Sequence, residues 1–209
     1  TSLANVIATI CKNDPKQRIR YVKLSAAMSG VADVKQATTI AANELKFGRK
    51  TVIFMDEIHR FNKAQQDIFL PHIEAGTITL IGATTENPSF TLNSALLSRC
   101  RVMVLEKLSS ENLEEILCKA VESLDGVVSR LGDDFGGKEI EETPRFIIEE
   151  RTIKFLAETC DGDARIALGG LELAVQSIVP SAEEGEGGIP AISLENVQES
   201  LKKTHSLYD

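Results

Sequence analysis

The stretch Thr51-Val52-Ile53-Phe54-Met55-Asp56-Glu57 decides the fold of this chain. Its consecutive apolar residues are typical of a strand that is covered on both faces in a parallel sheet. The two acids follow at the carboxyl end, where open α/β sheets place their ligands. Asp56 can hold Mg²⁺ through water, because this ion takes few carboxylates and keeps its own waters. Glu57 can then polarise a water for attack on a phosphate. This Walker B pattern also fits a strand that simply ends in solvent, so its neighbours decide.

A second apolar strand is predicted over residues 77–83, and it ends in Thr84-Thr85-Glu86-Asn87-Pro88. If the two strands are neighbours, a polar side chain at this end lies beside Asp56 and Glu57. A hydroxyl or amide there can position the attacking water. The run also favours a turn, since Asn-Pro promotes one. The two interpretations are compatible.

The first residues of the chain, Thr1 and Ser2, precede apolar residues at helical spacing. They can cap that helix. Thr-Ser also follows Gly-Lys in phosphate-binding loops, where the hydroxyl reaches Mg²⁺. The rest of such a loop is not in the sequence, so these two residues alone favour the cap. The other elements predicted for this half are strands at 19–25 and 102–105 and helices at 31–45, 64–74 and 93–97.

The pattern changes at Leu108, where strands stop and helices take over. We therefore place a domain boundary there, with one domain at 1–108 and a helical domain at 109–209. Helices are predicted at 109–124, 147–160, 164–178 and 193–203. The Gly- and acid-rich segments 125–145 and 180–190 are expected to be flexible loops.

The composition excludes several classes of protein. The 209 residues are 43% hydrophobic and 26% charged, as in ordinary globular proteins. No apolar run approaches membrane-spanning length, and there is no signal peptide. The four cysteines form no CxxC pair, which favours reduced intracellular thiols over zinc or a disulfide framework. We interpret His59 and His72 as ordinary polar positions, because no third ligand is spaced to join them.

Charge is distributed unevenly along the chain. Residues 1–108 hold 14 basic and 9 acidic residues, a net charge of +5, whereas residues 109–209 hold 9 and 22, a net charge of −13. The simple interpretation is a solvated acidic face on the second half. The sharper one is that any contact with nucleic acid belongs to the first half.

Five features occur along the chain in the order in which the motifs of the AAA+ ATPases occur. The sequence therefore resembles these ATPases, near the clamp loaders and the Holliday-junction branch-migration motor. The five features are Thr1-Ser2, Asp56-Glu57, Thr84-Thr85, Ser98-Arg99-Cys100 and Asp161-Gly162-Asp163-Ala164-Arg165. Longer runs resemble the family of the Werner-helicase-interacting ATPase and its bacterial counterpart, replication-associated recombination protein A. These runs are residues 56–63 (DEIHRFNK), 81–90 (IGATTENPSF) and 96–102 (LLSRCRV), and the closing residues 204–209 fit the animal branch.

This resemblance implies a role for each matching residue, with ATP and Mg²⁺ as cofactors. Thr1 and Ser2 match the end of the phosphate loop, with Thr1 on Mg²⁺, and Asp56 and Glu57 match Walker B. Sensor 1 is matched by Thr85 or Thr84. Arg99 matches the arginine finger, which reaches the nucleotide of a neighbouring subunit, and Arg165 matches sensor 2. Each arginine would stabilise charge on the transferring phosphoryl group.

The resemblance also implies a fold: an α/β P-loop NTPase with a parallel-sheet core, followed by an all-α lid. The Gly-rich loop, its lysine and the first central strand precede Thr1 in the family. We therefore expect a fragment that lacks them and binds ATP poorly alone. It would equally lack the family's zinc finger and oligomerisation domain.

The implied function is ATP hydrolysis coupled to action on DNA at stalled or damaged replication forks, gaps or ends. The implied partners are DNA, a RecQ-type helicase, a replicative polymerase and further copies of the chain, in the nucleus and without a membrane. Two alternatives stay open: a clamp-loader subunit, favoured by Ser98-Arg99-Cys100, and a non-hydrolysing AAA+ scaffold.

Overall fold

The computed structural model describes residues 2–16, 18–129, 143–179 and 189–206. The chain divides into two compact units, Thr1–Val104 and Leu105–Asp209. Among the helices of the described residues, none combines the length and the apolarity needed to cross a bilayer.

The first unit is built on a sheet of three parallel strands. These strands are β1 (Ile19–Ser25), β2 (Lys50–Asp56) and β3 (Ile78–Gly82), in the order β1-β2-β3. Ser25 is the register partner of Asp56, and Met55 is that of Gly82. The polar run after β3 therefore begins at the same edge of the sheet as the acids after β2, as the sequence predicted.

Two longer helices and several short ones connect and cover these strands. They are α1 (Ser2–Lys12), α2 (Val31–Leu45), α3 (Lys63–Gln66), α4 (Leu70–Glu74), α5 (Pro88–Thr91) and α6 (Ser94–Leu97), with 3₁₀ turns at Ile58–Arg60 and Asp67–Phe69. The single helix predicted over 64–74 is thus divided by a 3₁₀ turn. Pro71, near the start of α4, lacks the N–H that a continuous helix would need at that position.

Strand β2 lies at the centre of the core of this unit. Ile53 and Met55 have no solvent exposure, and Phe54 on the opposite face is 4% exposed. Burial on both faces explains the uninterrupted apolar run, so the prediction of a buried parallel strand is confirmed. The other buried residues of this core are Val34, Ala37, Ala41, Ile58, Phe61, Phe69, Ile78 and Leu96.

The strand predicted at 102–105 is wrong. The structure gives these residues no regular conformation, and Val102, Met103, Val104 and Leu105 are 52–85% exposed. Their β propensity describes how well a side chain fits a pleated, half-buried surface. Propensity alone cannot form a strand without a paired neighbour.

The second unit contains four longer helices and a small sheet. The helices are α7 (Ser110–Ser123), α8 (Glu150–Thr159), α9 (Ala164–Ile178) and α10 (Leu194–Ser206). Three short parallel strands, β4 (Gly126–Ser129), β5 (Phe146–Glu149) and β6 (Ala191–Ile192), pair in the order β4-β5-β6. The helical character is confirmed, whereas the description as all-α is wrong.

The cause of this correction is visible in β5. Phe146 and Ile148 are fully buried, while Ile147 and Glu149 are half-buried, which is the period of two that a strand requires. The helix predicted from Ile147 therefore begins only at Glu150. Two stretches of the predicted loops, residues 130–142 and 180–188, lie outside the described residues.

Candidate active site

The candidate site lies where β2 and β3 end. Beyond the paired strands, the Ala83 N–H donates to the Met55 carbonyl at 2.9 Å, and the Ile58 N–H donates to the Ala83 carbonyl at 3.0 Å. These two bonds hold the turn that contains Glu57 against the segment that contains Thr84. The backbone therefore brings Asp56 and Glu57 and the polar run after β3 together.

Glu57 adopts a left-handed backbone conformation, with φ 50° and ψ 44°. Such a conformation is uncommon for a residue with a side chain, and residues of this kind cluster at functional sites. Its side chain is 40% exposed, and its Oε2 lies 2.9 Å from Arg60 Nε in the following 3₁₀ turn. The carboxylate is thus accessible and close to one positive charge.

Asp56 is the last residue of β2 and is half-buried. Tyr21, on the neighbouring strand, has a buried hydroxyl without a hydrogen-bond partner among the described residues. Burial, Cys11 and the Asp56 carboxylate together raise the pKa of the Tyr21 phenol. The phenol therefore stays neutral near Asp56. Alternation within β1 was the only sequence signal at this position, and it did not indicate a site residue.

His59 joins this site, which the sequence interpretation missed. Its Nδ1 lies 2.9 Å from Thr84 Oγ1, and its Nε2 lies 3.9 Å from Glu86 Oε1. The Glu86 N–H also donates to Thr84 Oγ1 at 3.0 Å. The sequence does hold a signal that His59 belongs to the site, because His59 follows Glu57 by two residues. The spacing of histidines as metal ligands does not reveal it.

Thr84 and Thr85 differ in their surroundings. The Thr84 hydroxyl is half-buried and is engaged by His59 and by the Glu86 backbone. Thr85 is exposed, and within the described part of the chain its hydroxyl makes no hydrogen bond. Of the two threonines, Thr85 is the one whose hydroxyl is available to a ligand.

Arg99 lies just beyond α6 and is 39% exposed at its side chain. Its Nη2 is 2.5 Å from Glu74 Oε1, and its Nη1 donates to the Ala95 carbonyl at 2.8 Å and to Ser98 Oγ at 3.2 Å. These are contacts that a surface salt bridge makes. The role across a subunit interface stays a prediction.

Arg165 belongs to the second unit, at the start of α9. The Asp163 side chain caps this helix by accepting from the Arg165 N–H at 2.8 Å and from the Ile166 N–H at 3.4 Å. The Arg165 side chain is exposed, and it has no hydrogen bond or ion pair with other described residues. Thr1 lies outside the described residues, and Ser2 is the exposed first residue of α1.

The side chains at the site offer few metal ligands, and all of these are oxygens. Such a set suits Mg²⁺, and it does not suit a metal that needs a complete shell of protein ligands. The strand ends offer the carboxylates of Asp56 and Glu57 and the hydroxyl of Thr85, all oxygen donors. No group of three or more His, Cys, Asp or Glu among the described residues could hold a metal. Mg²⁺ needs only one or two carboxylates when waters and phosphates complete its shell.

Comparison with known proteins identifies the family of the chain. Residues 1–108 match the family described as "ATPase family associated with various cellular activities (AAA)". The chain belongs to the AAA ATPase family. Residues 142–209 match the family described as "AAA C-terminal domain", which fits the helical second unit.

Two individual relatives are similar to this AAA ATPase over most of its length. It is 46% identical over 177 residues to "ATPase WRNIP1" of Dictyostelium discoideum, covering 85% of this chain and 18% of that protein. It is also 46% identical over 173 residues to "Replication-associated recombination protein A" of Escherichia coli K12, covering 83% of this chain and 34% of that protein. The chain thus spans about a third of one of these relatives and about a fifth of the other. The family resemblance predicted from the sequence is confirmed.

A solved structure shows the same fold. A RuvB mutant of Thermotoga maritima superposes with a TM-score of 0.61 at 19% identity, covering 96% of this chain and 57% of that one. The predicted P-loop NTPase core, followed by a helical part, is therefore confirmed at the level of fold.

Proposed function

We propose that this chain is the ATP-hydrolysing part of a factor that acts on DNA at stalled or damaged replication forks. One observation carries the hydrolytic part of the proposal. Within an AAA domain, Asp56 and Glu57 lie at a strand end whose backbone is bonded to the segment leading to Thr84 and Thr85. Two carboxylates and a free hydroxyl at one sheet edge are among the groups that magnesium-dependent phosphoryl transfer to water uses.

The site residues have distinct roles in this proposal. Asp56 and Thr1 would hold Mg²⁺, which would supply positive charge to neutralise the phosphates of ATP. Ser2 belongs to the same phosphate-binding end of α1. Glu57 takes a proton from the attacking water, because its accessible carboxylate can act as a general base. Thr85 orients that water, and the alternative that Thr84 does so is weakened by the contacts that engage its hydroxyl.

Two arginines complete the proposed machinery by stabilising charge on the transferring phosphoryl group. Arg165 acts as sensor 2 from the second unit, and support comes from its exposed, unpaired side chain at the capped start of α9. Arg99 acts on the nucleotide of a neighbouring copy, so the active protein is a homo-oligomer. Support for Arg99 is its position in the Ser98-Arg99-Cys100 motif and its exposed side chain.

The cellular part of the proposal concerns the whole protein. We propose that it binds DNA forks, gaps or ends, works with a RecQ-type helicase and a replicative polymerase, and is located in the nucleus. Support comes from the family resemblance and from the name of the Escherichia coli relative, which mentions replication and recombination. The basic first half of the chain is where we expect DNA to contact it.

The test is phosphate release from ATP by the full-length protein, with and without Mg²⁺, in the presence of forked, gapped, blunt or no DNA. We expect hydrolysis that needs Mg²⁺ and rises with at least one DNA structure. The variant Asp56→Asn should abolish it, whereas Glu158→Gln, an exposed acid on α8, should not. ATP binding without phosphate release in every mixture would favour the scaffold alternative instead.

A further inference from the structure

The side chain of His59 connects the two segments that form the candidate site. Its side chain is only 12% exposed. The residue itself belongs to the 3₁₀ turn directly after Glu57. Across from it, Thr84 Oγ1 lies 2.9 Å from Nδ1. From this geometry we propose that His59 is a positioning residue, which fixes Thr84 so that Thr85 orients the attacking water. This inference rests on the proposed ATPase function.

The Thr84 hydroxyl already has two hydrogen-bond partners. It accepts the Glu86 N–H at 3.0 Å and shares a hydrogen with His59. A hydroxyl has one donor and two acceptor positions, so little capacity remains for a water or a phosphate. Thr85, next in the chain, has an exposed hydroxyl that makes no hydrogen bond to any described residue.

Two contacts of unequal strength hold the ring of His59 itself. Glu86 Oε1 lies 3.9 Å from Nε2, which is too long for a hydrogen bond but close enough for attraction across solvent. Its side chain is 53% exposed, so this contact contributes little energy and mainly favours one ring orientation. The ring thus has a firm partner at Nδ1 and a weak one at Nε2.

The bond between His59 and Thr84 affects ATP hydrolysis through the position of the groups that act on water. The bond between His59 and Thr84 adds a side-chain connection to the backbone bonds that join Ile58, Ala83 and Met55. Removing it leaves the Glu57 turn and the Thr85 segment joined by the backbone bonds and by the packing of the Ile58 side chain near Gly82. A shift of about 1 Å between a catalytic base and a water-orienting group can lower a rate by about 100-fold. A positioning role therefore predicts a loss in kcat with little change in KM.

The experiment uses the full-length protein and two substitutions that separate the ring nitrogens. His59→Asn places a polar atom where Nδ1 was, and His59→Gln places one near Nε2. We expect His59→Ala and His59→Gln to lower kcat by about 10–100-fold with KM within about twofold, and His59→Asn to restore most of it. Thr84→Val should cost at least as much as His59→Ala, because it also removes the acceptor of the Glu86 N–H, and the double variant should cost no more than Thr84→Val, because the two residues act as a pair.

A second readout does not depend on turnover. Amide hydrogen exchange at Ile58, whose N–H is bonded to the Ala83 carbonyl, should be faster in His59→Ala and close to wild type in His59→Asn. Wild-type phosphate release with unchanged kcat in His59→Ala would overturn the inference and leave the ATPase proposal intact. Absent wild-type hydrolysis overturns the ATPase proposal, and the inference falls with it. Unchanged amide exchange at Ile58 in His59→Ala would by itself overturn the inference that the His59–Thr84 bond holds the two segments together.

Discussion

Glu57 Oε2 lies 2.9 Å from Arg60 Nε, so the proposed catalytic carboxylate is paired within its own turn. The two side chains are 40% and 57% exposed, and ion pairs in such surroundings contribute about 0–1 kcal/mol. A contact this weak can give way when a water and a nucleotide arrive. Arg60 therefore restricts the Glu57 side chain without preventing it from acting as a base.

The substitution Glu57→Gln should keep nucleotide binding and nearly abolish turnover in the full-length protein. Glutamine has the same shape, but it carries no negative charge to accept a proton from water. Losing a general base costs about 10²–10⁴-fold in rate. Phosphate release and fluorescent-nucleotide binding measure the two effects separately. Glu158→Gln, an exposed acid on α8, is the matched control, and near-wild-type turnover of Glu57→Gln would refute the assignment.

Burial and residue order made much of this site predictable. Val52 to Met55 form an uninterrupted apolar run because β2 is covered on both faces, and the acids that follow fall at the sheet edge. The sequence could not show that His59 contacts Thr84, because 25 residues separate them and only the pairing of β2 with β3 brings them together.

Other features depended on neighbours that local patterns do not specify. Residues 102–105 have strand-forming side chains, but these are exposed and no strand forms. Conversely, the sequence predicts a helix that starts at Ile147, whereas pairing with β4 and β6 makes Phe146–Glu149 a strand. Pairing between segments distant in sequence decided both cases, as expected for short strands.

Gly162, which lies just before α9, should tolerate substitution poorly. Its φ is +81°, and an added Cβ would lie 2.8 Å from Lys107 Cβ and 2.9 Å from the Leu108 carbonyl oxygen. Because a backbone atom cannot move aside cheaply, Gly162→Ala should destabilise the second unit by about 1–3 kcal/mol. Gly169→Ala, in the interior of α9 with open space around the new Cβ, should instead be neutral or stabilising. Thermal unfolding of both variants checks the contrast.

The Cys160 thiol should react slowly in the folded chain. Burial, together with the nearby Asp163 carboxylate, raises the pKa of this thiol, and only 5% of the residue is exposed. Since the thiolate is the reactive form, alkylation by iodoacetamide at pH 8 should be much slower in buffer than in urea. Peptide mapping by mass spectrometry measures this rate. Equal rates in the two solvents would show that the site is not buried.

The Arg99 and Glu74 pair allows a structural arginine to be distinguished from a catalytic one. If Arg99 only makes this salt bridge, Arg99→Ala and Glu74→Gln should have equally small effects, about 0.2–1 kcal/mol in stability. If Arg99 acts on a neighbouring subunit, Arg99→Ala alone should reduce hydrolysis, by about 10³–10⁵-fold as for other arginine fingers. Arg101→Ala, at an exposed position two residues away, controls for loss of positive charge.

Mixing two inactive full-length variants, Arg99→Ala and Glu57→Gln, tests the direction of that action. An intact Glu57 in one subunit and an intact Arg99 in its neighbour rebuild one complete site at their interface. Hydrolysis should therefore return in part and depend on the mixing ratio, because only some interfaces pair the two intact residues. Subunit exchange is measured independently by energy transfer between labelled copies. Exchange without any recovery of phosphate release would mean that Arg99 does not act across an interface.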